Sequence, residues 1–195
     1  MKTTATLALI IAGSFALPVL AQTTASEIQR NTNQQQRIEQ GLQSGALSTK
    51  EAGKLEREQT QVDRMEKNAL KDGTLTSAES ARIQSAQNKT SKSIAAQKHD
   101  AQLGNPASKS SQRMQADVQR NANQQARVEQ GVKSGKLSNQ QVASLERGQA
   151  HVNRAEANAA ANGRVGAVEQ ASVQGKENVQ SARVHNKKTN ATTQP

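Results

Sequence analysis

The side chains that most often serve catalysis are sparse in this 195-residue sequence. His99, His151 and His185 stand in different segments without a second histidine at ligand spacing, and the chain has no cysteine. Nucleophilic and metal-assisted catalysis need such groups in pairs or triads that meet in one site. The one aromatic residue is Phe15, so an aromatic-lined pocket is not expected either. We therefore expect a non-enzyme without a resident cofactor.

The carboxylates alternate with basic residues at helical spacing, as in Glu51 with Lys54 and Asp63 with Lys67. Glu66 directly precedes Lys67 in the same segment. Opposite charges three or four residues apart on a helix surface form ion pairs worth tenths of a kcal/mol. We interpret these carboxylates as parts of solvated ion pairs, not as acid–base dyads.

A short turn signature occurs four times. A Gly is followed two residues later by an aliphatic residue, then by Ser or Thr, and three residues after that by Glu or Gln. The Gly can end one helix in the left-handed conformation, and the hydroxyl with the later Glu or Gln can form a capping box on the next. The turns contain Gly45, Gly73, Gly135 and Gly163; only the last has no capping hydroxyl, because Gly166 occupies that position.

The turn signature resembles the second half of an EF-hand calcium loop. In the best copy Asn68 is first, Asp72 fifth, Gly73 sixth and Glu79 twelfth, but Leu70 holds the third position, where the family has an oxygen ligand. Calcium needs six to eight oxygen ligands. The resemblance implies calcium as a weakly bound cofactor of Asn68, Asp72 and Glu79. The alternative is a loop that only directs two helices.

The elements that carry these turns are duplicated. A shift of 90 residues aligns 27–94 with 117–184 without a gap, and the block 29–41 recurs almost unchanged at 119–131. The pattern predicts an all-α fold made of two copies of a three-helix repeat. The predicted helices lie near 26–43, 49–71, 77–97, 116–133, 139–161 and 167–186. The repeat is similar to uncharacterised secreted bacterial helical-repeat proteins with degenerate EF-hand-like turns, a resemblance that implies no activity.

The predicted helices carry few large aliphatic side chains, so each copy is expected to be marginally stable alone. Self-association or folding on a partner would relieve that shortage. Amides recur at matching positions of both copies and could join helices to one another or bind a sugar-rich polymer. They are Asn31, Asn33, Gln34 and Gln35, with Asn121, Asn123, Gln124 and Gln125.

The ends of the chain lie outside the two repeats and differ from them in composition. Residues 1–21 have the basic start, apolar stretch and small residues of a cleaved secretory signal peptide. We predict repeat 1 over 22–100, a flexible linker over 101–115, repeat 2 over 116–186 and a disordered tail over 187–195. The product is expected to be periplasmic or secreted, without a membrane span once the signal is removed.

The positive charge is concentrated in the second half. Residues 101–195 hold 13 Lys and Arg against 6 Asp and Glu, whereas residues 25–100 hold 12 against 10. An anionic envelope polymer, an anionic lipid or a protein is therefore the expected partner, although such charge can also serve solubility alone. The lack of aromatic stacking residues argues against nucleic acid. The predicted polyanion contacts are Lys133, Lys136, Arg147, Arg154, Arg164, Lys187 and Lys188.

These features favour a non-catalytic, exported helical protein that binds or assembles through its helix faces. One alternative is a weak metal-responsive module built on the Asp72–Glu79 loop. Another is a periplasmic stress or holdase-like protein whose loosely packed helices shelter other chains.

Overall fold

The computed structural model describes residues 17–190, and their side chains from Thr23 onward. Regular structure in this part of the chain consists of six α-helices and no strand, which confirms the all-α prediction. The helices are α1 (Leu17–Ser44), α2 (Thr49–Leu70), α3 (Ser77–Lys98), α4 (Lys109–Lys133), α5 (Asn139–Ala159) and α6 (Ala167–Asn190).

The turn signature fixes where these helices end and begin. Gly45, Gly73, Gly135 and Gly163 all have positive φ, between 69° and 90°, as the sequence predicts. Complete capping boxes start α2 at Ser48, α3 at Thr76 and α5 at Ser138. At the start of α6 only half of the box forms, because Gly166 has no hydroxyl and its N–H alone donates to Glu169 Oε2 at 2.7 Å. Local sequence thus determines these boundaries.

The helices pack mainly across the two halves of the chain. α1 lies against α4 and α2 against α5 far more extensively than α1 lies against α2, while α3 and α6 cover the outside. One hydrophobic core joins Ile28 and Leu70 to Val128 and Leu145 of the second half. The other core contains most of the positions of the first core shifted by 90 residues, with Ile38 and Leu55 packed together with Val118 and Ala160. The described helices therefore share two cores related by an approximate two-fold symmetry.

The connection between the halves is shorter than the predicted linker. Ser108 caps α4 by accepting a hydrogen bond from the Ser111 N–H, so residues 109–115 are helical. Met114 belongs to this added turn and is fully buried. Before the helix, the Gly104 N–H donates to the Gly45 carbonyl at 2.8 Å. A flexible linker over 101–115 is thus not confirmed, because core packing and this backbone contact hold the segment.

The ends of the described chain also differ from the predicted boundaries. α6 continues through Asn190, four residues into the predicted tail, and Lys188 Nζ donates to Gln130 Oε1 at 3.1 Å. Residues 1–16 and 191–195, which hold most of the predicted signal and the rest of the tail, lie outside the described residues. Among the described helices, none has the length and apolarity required to cross a membrane.

Candidate functional site

The loop predicted to bind calcium uses its carboxylates within the backbone turn. Asp72 Oδ1 accepts from the Thr74 N–H at 3.0 Å, and Glu79 Oε2 accepts from the Thr76 N–H and Oγ at 3.0 and 2.6 Å. The hydrogen bonds from Thr76 lower the pKa of Glu79. Asn68 and Glu79 line one cavity of about 240 Å³ between α2 and α3, and Asp72 is not among its lining residues. Calcium binding by this loop stays a prediction.

The residues predicted to contact polyanions are exposed or half-buried, and the structure distributes them over several surfaces. Lys136 and Lys188 lie at the shared end of α4 and α6, where partial burial and then the charges of Arg127 and Lys136 lower the pKa of Lys188. Arg164 lines a separate cavity beside the α3–α4 connection. Lys133 is paired with Glu129. Lys187 lies on α6, and Arg147 and Arg154 lie on α5.

Arg154 belongs to a groove between α5 and α6. Two cavities of about 490 and 480 Å³ share His151, Ser172 and Lys176, so they are continuous along the two helices. Arg154, Lys176 and Arg183 supply positive charge, against the single carboxylate of Glu169. Val168 and Val179, 85% and 52% exposed, lie on the same groove. We call this surface the α5–α6 groove; it combines exposed apolar side chains with net positive charge.

The equivalent groove of the first half, between α2 and α3, is smaller and different in character. Met65 stands at the position of Ala155, and the first-half cavity measures only about 240 Å³. Lys176 and Val179 correspond to Ala86 and Lys89 in the first half. The two halves have thus diverged most visibly on this outer surface.

The histidines do not come together in a catalytic arrangement. His99 Nδ1 lies 2.7 Å from the Ala95 carbonyl at the end of α3, His151 is exposed in the α5–α6 groove, and His185 is exposed on α6. Among the described residues none of the three lies in a cluster of potential metal ligands.

The centre of the bundle contains five fully buried carboxylates that sequence reasoning missed. Glu56, Asp63 and Glu66 come from α2, and Glu146 and Glu156 come from α5, each with at most 1% exposure. The interpretation of Asp63 and Glu66 as solvated ion pairs with Lys67 is therefore wrong. The two ion pairs among the described residues involve neither of them. One feature of the sequence is consistent with their burial: Glu56 and Glu66 recur at the equivalent positions of the second half, as Glu146 and Glu156.

Amides from α1 and α4 donate to these carboxylates in matching pairs. Asn31 Nδ2 donates to both oxygens of Glu66, at 2.9 and 2.8 Å, and Asn121 does the same to Glu156, at 2.8 and 2.7 Å. Gln35 donates to Glu56 Oε2 at 3.0 Å, as Gln125 does to Glu146 Oε2 at 3.1 Å. These duplicated amides join helices to one another. Asn33, by contrast, is exposed.

Burial dominates the electrostatics of this centre. It raises the pKa of Glu56 and of Glu146 to about 7. For Asp63, Glu66 and Glu156, burial first and neighbouring carboxylates second raise the pKa well above the ordinary range. Ionised carboxylates are costly in a low-dielectric interior unless a counter-charge or a proton neutralises them.

Comparison of the chain with protein-family models, with curated proteins and with solved structures found no match. Over residues 17–190, the fold and these sites define an all-α arrangement of six helices with a buried, carboxyl-rich centre and a basic, partly apolar outer groove.

Proposed function

We propose that the chain is a non-catalytic exported protein of the bacterial envelope that binds an acidic segment of a partner protein in the α5–α6 groove. The proposed location, periplasmic or secreted, rests on the signal-like residues 1–21. The observation that carries the binding proposal is the difference between the two halves. Only the second half replaces Met65 with the smaller Ala155 and places Lys176, Arg183 and two exposed valines on the widened surface.

The composition of the groove favours a partly apolar acidic segment over a purely charged polymer. Exposed apolar surface beside complementary charge is typical of protein-binding sites. Val168 and Val179 would be buried by apolar side chains of such a segment, while Lys176 and Arg183 would attract its carboxylates. An anionic polymer or lipid headgroup would use the same positive charge but would gain little from the valines.

The proposal is tested by titrating the full chain with three defined probes. They are a synthetic helical peptide of glutamate and leucine, polyglutamate, and vesicles containing phosphatidylglycerol. We expect the peptide to bind more tightly than polyglutamate of equal charge, and its affinity to fall with ionic strength. Equal affinity for the peptide and polyglutamate would assign the surface to polymers. Vesicle binding alone would assign it to lipid.

Matched variants locate the binding surface. Ala155→Met places in the groove the side chain that the first half already accommodates, so the fold should be retained while peptide affinity falls at every salt concentration. Lys176→Ala should weaken binding mainly at low salt. Arg147→Gln removes an exposed charge of α5 that does not line the groove, and it should leave affinity unchanged. An Ala155→Met variant with unaltered affinity would contradict the proposal.

A further inference from the structure

Three of the buried carboxylates converge in a way that the other two do not. Asp63, Glu66 and Glu146 each offer an oxygen atom, and these oxygens lie within 4.8 Å of one another. Two of the side chains come from α2 and the third comes from α5, so the cluster lies between the halves of the bundle.

One of these carboxylates has an oxygen without a partner. Glu146 Oε2 accepts from Gln125, but Oε1 is completely buried and has no hydrogen-bond donor. A buried anionic oxygen that lacks a donor costs a large part of its desolvation energy. This oxygen therefore needs either a proton shared with the neighbouring Glu66 or a cation as its partner.

The other hydrogen bonds around the cluster come from amide donors. Asn31 donates to both oxygens of Glu66, and Asn153 Nδ2 donates to Asp63 Oδ2 at 2.9 Å. Amide donors of this kind favour the ionised carboxylate and orient it, as outer-shell hydrogen bonds do around metal-ligating carboxylates. No Lys or Arg is paired with any of the three side chains within the described residues.

We propose that Asp63, Glu66 and Glu146 bind one hard divalent cation, preferably Ca²⁺, at the centre of the helix bundle. An all-oxygen carboxylate set suits Ca²⁺, Mg²⁺ or Mn²⁺, whereas Zn²⁺ and copper prefer nitrogen and sulfur ligands. Mg²⁺ dehydrates reluctantly and usually keeps several waters, whereas Ca²⁺ can take most of its ligands from protein oxygens. The three side chains are at most 1% exposed, and this burial favours Ca²⁺ as the bound ion.

The symmetry of the bundle predicts one cation and not two. Glu56 and Glu156 repeat the glutamates of the cluster, but Asn153 replaces Asp63 in the second half. The second position therefore lacks the third carboxylate. All three proposed ligands are at most 1% exposed, so the cation should load during folding and exchange slowly afterwards.

The test counts retained metal on the full chain. The protein is unfolded in chelator, refolded without metal or with Ca²⁺, Mn²⁺ or Mg²⁺, and desalted; the metal per chain is then measured by mass spectrometry. We expect about one Ca²⁺ per chain and a Tm rise of about 5–10 °C when free Ca²⁺ exceeds its Kd 100-fold. Refolded wild-type protein that retains no cation and shows no Tm shift would overturn the proposal, leaving the carboxyl groups to share protons.

Variants distinguish the interior from the surface loop. Asp63→Asn installs the residue that the second half carries at this position, and Glu146→Gln removes the unpartnered anionic oxygen. Both should fold at least as well as wild type without metal, because like charge is removed, and both should lose the bound Ca²⁺ and the Tm rise. Asp72→Asn, which keeps an acceptor for its turn, should retain both. Retention of Ca²⁺ by Asp63→Asn and Glu146→Gln, or its loss in Asp72→Asn alone, would place the ion elsewhere and refute the assignment.

Discussion

Replacing Gly53 by alanine tests the contact that joins the two halves. An ideal Cβ at Gly53 lies 2.6 Å from the Cβ of Ala160, the C-cap residue of α5, and 3.5 Å from the Ala157 carbonyl oxygen. Non-bonded carbon atoms pack at about 3.5–4.0 Å, so the new methyl group would overlap α5 by about 1 Å. Since the obstacle is a Cβ fixed to the backbone at the C-cap of α5, α2 and the end of α5 must move apart to admit the new methyl group.

The expected magnitude combines two opposing effects. Alanine gains up to about 1 kcal/mol over glycine in a helix interior, whereas overpacking a core costs about 1–3 kcal/mol. Gly53→Ala should therefore destabilise the fold by about 0.5–2 kcal/mol and lower the Tm by about 1–8 °C. Gly175 provides the matched control, because a Cβ there meets nothing within 4 Å. Gly175→Ala should keep the helix gain and raise the Tm by about 1–4 °C.

Thermal and urea unfolding are followed by far-ultraviolet circular dichroism, since the described residues contain no aromatic side chain for fluorescence. Adding Ala160→Gly to Gly53→Ala removes the opposing Cβ and should restore part of the lost stability. The double-mutant cycle should give a coupling energy of about 0.5–3 kcal/mol. Equal stabilisation by Gly53→Ala and Gly175→Ala, with no coupling to position 160, would show that α2 and α5 do not pack at this distance.

Other consequences follow from the buried centre and the shared cores. In buffer that contains a chelator, the Tm should fall as the pH rises from 5 to 8, because Glu56 and Glu146 have a pKa of about 7 in the fold. Their contribution to the free energy of unfolding is fully present below the unfolded pKa of about 4.5 and is lost as the pH rises through 7. A Tm that rises over this range would contradict the burial of these carboxylates. Asn31→Ala should destabilise the fold by about 1–3 kcal/mol in urea unfolding, because both oxygens of Glu66 lose the hydrogen bond from Asn31 and only the 3.3 Å bond from Gln87 to Oε1 remains. Asn33→Ala at an exposed position should change stability by less than about 0.5 kcal/mol. The first three helices expressed alone should show little helical circular dichroism, since each core takes residues from both halves.

Local sequence was sufficient to predict the number of helices and most of their ends. A Gly at positive φ and the capping box that follows it depend on the sterics and hydrogen bonds of residues close together in sequence. Local sequence patterns can therefore predict them. Local sequence does not predict the start of α4 at Lys109, because Gly104, Pro106 and several serines indicate a linker. Only the long-range burial of Met114 shows why the helix starts there.

The sequence pattern does not predict which helices pack against each other. Periodicity shows which face of a helix is buried but not which helix covers it. The duplication favoured two separate three-helix units, whereas α1 packs on α4 and α2 packs on α5. The same ambiguity explains the error at Asp63 and Glu66. Their proximity to Lys67 in sequence predicts solvated ion pairs unless a second helix is known to cover them.

Because the two halves of the bundle are similar, the positions at which their residues differ are informative about function. Positions that recur unchanged in both halves, such as Glu56 and Glu66, build the polar centre that the halves share. Both proposed sites depend instead on positions where the halves differ. Asp63 in place of the second half's Asn153 supplies a third carboxylate on one side of the centre only, and Ala155 in place of Met65 widens one outer groove only. Because the equivalent residue already fits the same backbone in the other half, exchanging residues between halves separates function from folding more cleanly than alanine substitution does.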